Sequence, residues 1–145
     1  MMDGEAFNIR ARGRMHIEEM WGAGREDLAS TLYADDVRDH NPAPDQRPGL
    51  AGILDVLRWL REAVPDLSMR VDQYVVDPPY IADRWTMTGT HTGAPLMGVP
   101  ASGRAFRISG MDVSKFGVDG KITDIWHVEE FWRLRDQLTE EPASP

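Results

Sequence analysis

SGMDVSKFGVDGKITDIWHVEE, residues 109–130, reads as two β-strands folded back on each other. Hydrophobic and polar residues alternate on both sides of Asp119-Gly120, a pair that favours a two-residue hairpin turn. With that turn Val118 faces Lys121, Lys115 faces Asp124, Val113 faces Trp126 and Asp112 faces His127. Directly opposed side chains share a face with Cβ atoms roughly 4.5–5.5 Å apart, close enough for a carboxylate to meet an imidazole. Gly117 offers a place for a longer loop or a bulge, and a slip of one residue would turn one partner to the other face.

Working outward, LSMRVDQYVV, YIADRWTMTGTHTG and RAFRISGMDVSKF alternate in the same way, so with KITDIWHVEE they predict four main strands. DPP at 77–79, GAPLMGVPASG at 93–103 and VDG at 118–120 separate them. Residues 5–22 place Ile17, Met20 and Trp21 at helical spacing, and REDLASTLY repeats the pattern with Leu28 and Leu32. Val37 begins a short strand before a Pro-rich loop. A third helix starts near Pro48, carries Leu50, Ile53, Leu54, Leu57, Leu60 and Val64 on one face, and ends at Pro65. EEFWRLRDQL closes the chain as a helix with Phe131, Leu134 and Leu138. Helices ahead of strands predict an α+β domain with helices covering one face of a curved antiparallel sheet.

The 145 residues, 41% of them hydrophobic, suit one domain over 1–145, with its core at about 14–139 and fraying at 1–4 and 140–145. Lys and Arg number 16 against 24 Asp and Glu, a formal charge of −8 that repels phosphate backbones and anionic membranes. Nucleic acid and membrane are therefore not expected partners. The absence of cysteine excludes disulfides, thiolate nucleophiles and Cys-bound zinc. The N-terminus is too polar for a signal peptide and no run approaches the roughly 20 apolar residues of a membrane span, so a cytoplasmic location is expected. HVEEF lacks the spacing of a zinc hydrolase, and neither a phosphate-binding glycine loop nor a serine nucleophile elbow occurs. These absences disfavour zinc-dependent hydrolysis, nucleotide hydrolysis and serine-ester chemistry.

An imidazole suits proton abstraction at neutral pH, and a carboxylate beside it would fix its tautomer. His127 with Asp112 is thus a candidate catalytic pair. The same spacing also fits a polar cross-strand pair with no catalytic task.

DHNPA at 39–43, RPGLAGI at 47–53, DRWTMTGTHTG at 83–93, LMGVPASGR at 96–104, SGMDV at 109–113, and VDGKI with its HVEEFWRLRDQL ending together resemble the SnoaL-like polyketide cyclases, also called ester cyclases. These share their fold with nuclear transport factor two and ketosteroid isomerase. The resemblance runs from about Arg14 to Thr139. It implies a cone-shaped α+β barrel: three N-terminal helices on a strongly curved, mostly antiparallel sheet that encloses an apolar pocket. It also implies ring closure, without metal or organic cofactor, by intramolecular aldol condensation of a polyketide-like, hydrophobic or aromatic small molecule, and a homo-oligomer, dimer or tetramer. Met111, Val113 and Trp126 are candidates for the oligomer face.

In the family a carboxylate on the last strand is the base and a histidine lies on the preceding strand. Matched motif to motif, those positions fall on His127 and near Asp112, with the residue types exchanged. His127 is the favoured base and Asp112 the alternative, its proton affinity tuned by an apolar pocket. Asn41 matches a pocket asparagine of the cyclases, though Asn before Pro is also an ordinary turn former. Trp21 aligns with a first-helix aromatic flanking the pocket, at a spacing that also fits core packing. Arg84, His91 and His40 are further candidate substrate contacts. For Arg84 a surface ion pair competes; for His40 the neighbouring Asn41 points it elsewhere; for His91 the flanking Gly89 and Gly93 make the strand irregular. Limonene-type epoxide hydrolases need Arg-X-Asp on this strand and an aspartate on the last; here Thr86 and His127 stand there, which disfavours that reaction. A ligand-binding protein without catalysis, or a hydrolase or isomerase of this fold, are the alternatives.

Overall fold

The computed structural model describes the backbone of residues 2–140 and the side chains of residues 8–140. Helix α1 (Met2–Arg14) runs into a π-helical segment, Met15–Trp21, and a single 3-10 turn (Glu26–Leu28) leads to the short α2 (Ala29–Leu32). Strand β1 (Tyr33–Asp39), helix α3 (Gly49–Ala63), strands β2 (Ser68–Asp77), β3 (Tyr80–Thr90), β4 (Ala105–Phe116) and β5 (Ile122–Glu129), and helix α4 (Phe131–Thr139) follow. Residues 2–4, expected to fray, belong to α1; the expected fraying at residue 1 and at 141–145 lies outside the described residues.

The five strands form one sheet in the order β1-β5-β4-β3-β2. Every pairing is antiparallel except β1 with β5, where Arg38 opposes Asp124 and Asp39 opposes Ile125. The helices pack on the inner face of this curved sheet. Ile53, Leu57 and Leu60 of α3 are buried there, each contributing about 1.5–3 kcal/mol relative to an exposed position. Pro48 leads into α3 and Gly49 takes φ 71°; a Cβ on Gly49 would lie 2.7 Å from the Asp35 carbonyl oxygen, so the β1–α3 junction requires glycine.

The β4–β5 hairpin departs from the expected turn while keeping the expected register upstream. Val118 does not face Lys121. Instead the Gly117 N–H donates to the Lys121 carbonyl (2.8 Å) and the Gly120 N–H, at φ 76°, donates to the Gly117 carbonyl (3.0 Å). Phe116 then opposes Ile122, and Thr123 is the additional residue that restores the pairing of Lys115 with Asp124, Val113 with Trp126 and Asp112 with His127. The bulge absorbs the longer loop, so the face of each side chain is unchanged.

Candidate functional site

Between the helices and the inner sheet face lies a cavity of about 370 Å³, within the ~300–1,000 Å³ typical of small-molecule sites. Trp21, Trp59, Trp85, Met69, Met87, Met97, Leu96 and Leu134 make most of its wall apolar. Its polar groups are His16, Asp39, Asn41, Gln46, Asp112, His127 and Glu129.

His127 sits where β5 meets β1. Its Nε2 is 2.9 Å from Asp39 Oδ1 and its Nδ1 bonds Glu129 Oε1. Both contacts are to carboxylates, so both ring nitrogens donate, which requires the imidazolium. Burial alone would lower its pKa, but the hydrogen bonds and charges of Asp39 and Glu129 outweigh burial and raise it to about 10. Asp39 accepts further hydrogen bonds from the Asn41 N–H (2.9 Å) and Gln46 Nε2 (3.0 Å). Against the opposing effect of burial, these donors and His127 hold its carboxyl below the ordinary value. Asn41 Oδ1 accepts from the His127 backbone N–H (2.9 Å), which ties the β1–α3 loop to β5 and leaves the amide nitrogen of Asn41 for other partners.

The expected hydrogen bond between Asp112 and His127 is therefore not made, although the two are directly opposed and both line the cavity. Nor is His127 placed to act as a base at neutral pH, because an imidazolium has no lone pair to offer. Two carboxylates that the sequence reading did not assign, Asp39 and Glu129, take the place given to Asp112. Glu129 was legible, since residues two apart on a strand share a face. Asp39 was not, because it arrives through a parallel pairing of strands far apart in sequence.

Asp112, only 6% exposed, accepts a hydrogen bond from Trp85 Nε1 (3.1 Å). Asp83, 4% exposed, opposes it on β3, and neither Asp83 oxygen has a hydrogen-bond partner among the described residues. Burial raises the proton affinity of both, and the Asp112 charge raises that of Asp83 further. The Trp85 donor and the His127 charge pull that of Asp112 back down, while the charges of Glu129 and Asp39 push it up.

Gly110 makes this geometry possible: it opposes Trp85, and a Cβ there would lie 2.2 Å from the indole Cζ2. Gly110→Ala is expected to expel the indole from its seat, break its bond to Asp112 and destabilise the fold by about 1–3 kcal/mol. Tryptophan fluorescence and thermal melting would report it, and an unchanged spectrum and midpoint would reject the expectation.

On the helical side, His16 is 1% exposed and its Nε2 lies in hydrogen-bond contact with the Tyr33 hydroxyl, and Trp21 Nε1 donates to the same hydroxyl (3.3 Å). Burial, reinforced by the His127 charge, lowers the His16 pKa to about 3. Burial likewise pushes the Tyr33 phenol well above its usual range, so Tyr33 keeps its proton.

Of the residues anticipated from the sequence, His127, Asp112, Asn41 and Trp21 line the cavity; Arg84, His91 and His40 do not. Arg84 lies on the outer sheet face, 3.9 Å from Asp72. His40 also lies outside, stacked on Trp126 at 4.4 Å between centroids and 3.0 Å from Asp124 Oδ1. His91 is fully buried where β3 ends; its Nε2 donates to the Ala94 carbonyl (2.9 Å) and its Nδ1 faces Ser102, so it holds the 91–104 loop. No helix among the described residues is long and apolar enough to cross a membrane.

The fold is shared with several solved structures. TsrD of Streptomyces laurentii superposes with a TM-score of 0.80 at 23% identity, over 95% of this chain and 97% of that one. A candidate SnoaL-like polyketide cyclase of Jannaschia sp. CCS1 gives 0.82 at 18%, over 94% and 95%. A SnoaL-like polyketide cyclase of Agrobacterium tumefaciens strain C58 gives 0.67 at 25%, over 83% and 90%. No curated protein matches the chain. The architecture is thus the cone-shaped α+β fold of these proteins, and residues 11–138 match the family model of the SnoaL-like polyketide cyclases, so the chain belongs to that family.

Proposed function

We propose that this protein closes a ring on a small polyketide-like molecule by aldol condensation, with Asp112 as the base and side chains alone supplying the chemistry. The observation that carries this reading is a buried carboxyl, Asp112, in the wall of an apolar cavity beside an imidazolium that two other carboxylates hold. Ionised Asp112 takes a carbon-bound proton and becomes the acid. The electron pair moves onto the neighbouring carbonyl oxygen as an enolate. The enolate carbon attacks a second carbonyl, forming the ring C–C bond, and the alkoxide so produced takes the proton back from Asp112. His127 acts through its charge, which favours both the Asp112 carboxylate and the enolate. The three tryptophans and three methionines of the wall suit a flat, hydrophobic substrate.

The test is deuterium uptake at the acidic carbon of an aromatic β-keto ester incubated with the protein in heavy water. Saturable, protein-dependent exchange supports the proposal. Saturable binding with no exchange above the buffer rate would reduce it to ligand binding.

Self-association belongs to the same reading. Met111, Val113, Trp126 and Val128 stand exposed together on the outer face of β4 and β5. Such an apolar face suits pairing with its own copy in a dimer or tetramer. Trp126→Glu is expected to shift the assembly to monomer in light scattering; a variant with the mass of the parent would reject this face as the interface.

A further inference from the structure

We infer that His16 is the hydrogen-bond donor for the substrate oxygen that becomes negative, and that Tyr33 is the positioning residue that fixes its tautomer. This rests on the proposed proton abstraction and names the group that receives the resulting charge.

The ring of His16 forms part of the cavity wall while its Nε2 is committed to the Tyr33 hydroxyl. The other partner of that hydroxyl among the described residues, Trp21 Nε1 (3.3 Å), can only donate, which leaves His16 Nε2 as the group that receives the phenol proton. A neutral imidazole accepting at Nε2 must carry its proton on Nδ1. No side-chain hydrogen bond among the described residues engages Nδ1, and it is not one of the sealed, unpartnered polar atoms, which belong to Tyr74, Asp83 and Ser114. The free donor of the ring is therefore left to the cavity.

The backbone explains how two residues five apart reach one wall. In an α-helix His16 and Trp21 would point roughly 140° apart. Met15–Trp21 is π-helical, and its wider turn brings both onto the cavity side. His127 cannot take this role, since Asp39 and Glu129 occupy both its N–H groups. A neutral donor suits the task because it stabilises the enolate without being an acid strong enough to surrender its proton to it.

Two measurements test the assignment separately from the base. Nitrogen-15 shifts of labelled histidine at neutral pH should show His16 as the neutral Nδ1–H tautomer, and Tyr33→Phe should release it toward Nε2–H; a cationic or Nε2–H ring in the parent overturns the inference. The second uses 2-naphthol, whose ionised oxygen imitates an enolate, bound to Asp112→Asn as a mimic of the protonated base. Adding His16→Leu should weaken naphtholate binding about 10- to 100-fold, with His16→Gln recovering part of it. Equal affinities in variants that melt like the parent would overturn it. Persistent proton exchange in Asp112→Asn would instead defeat the base and leave the His16 result standing.

Discussion

Replacing Asp112 by asparagine is expected to slow deuterium exchange at the substrate carbon by about 10²–10⁴-fold, the usual contribution of a positioned general base. The amide keeps the shape of the side chain and an oxygen to accept the Trp85 Nε1 hydrogen, but it cannot take a proton. Ligand affinity should therefore persist while turnover falls. Stability should hold or rise, since a buried ionisable group gives way to a neutral one at a site 6% exposed. The pH profile of the parent carries the same signature. Burial lifts the Asp112 pKa, so activity should climb with pH through a range above that of ordinary carboxylates. It should then decline as His127 loses its proton near pH 10. Exchange that is equally fast in Asp112→Asn, or independent of pH between about 5 and 9, would reject Asp112 as the base.

The second large effect concerns stability. His127→Ala leaves Asp39 and Glu129 facing one another with no cation between them, and is expected to destabilise the fold by about 2–4 kcal/mol. The value is below that of a fully sealed pair because the imidazole keeps 22% of its side-chain exposure. The sign of the pH dependence follows from its raised folded-state pKa, about 10 against an ordinary 6.5. The contribution of His127 is complete below pH 6.5 and is lost as pH rises toward 10. Asp83 and Asp112 add to the same trend, because acids with raised folded-state pKa values weaken the fold as pH climbs toward those values. His16 acts oppositely: lowered to about 3, it removes stability as pH falls below 6.5. Calorimetric melting should therefore show the parent losing stability from neutral toward alkaline pH, and His127→Ala losing much less over that interval. Parallel curves for the two proteins would exclude the imidazolium as the cause.

The hairpin between Asp112 and His127 shows how far local pattern carries. Alternation assigns each side chain to a face, and a Gly-rich turn joins the strands, so the opposition of these two residues was readable even though the loop is longer than a two-residue turn. The four antiparallel strands, the apolar face of α3 and the turn glycines were legible for the same reason: their causes lie within a few residues. Trp21 was readable as an aromatic at the pocket, whereas His16 was hidden because its orientation depends on a π-helical segment that an α-helical period does not describe. Arg84 and His40 looked like site residues by motif, yet the pleat of β3 turns Arg84 to the outer face, and His40, just past the end of β1, stacks outside on Trp126.

The identity of the hydrogen-bond partners was decided elsewhere. By itself the amino-acid order determined the elements, their faces and the pairing of β4 with β5, since each follows from local sterics and burial. Only the tertiary structure brought β1 in parallel beside β5, carrying Asp39 to His127 across 88 positions. That contact turns a candidate base into a fixed cation, because the charge state of an imidazole depends on which groups surround it in space.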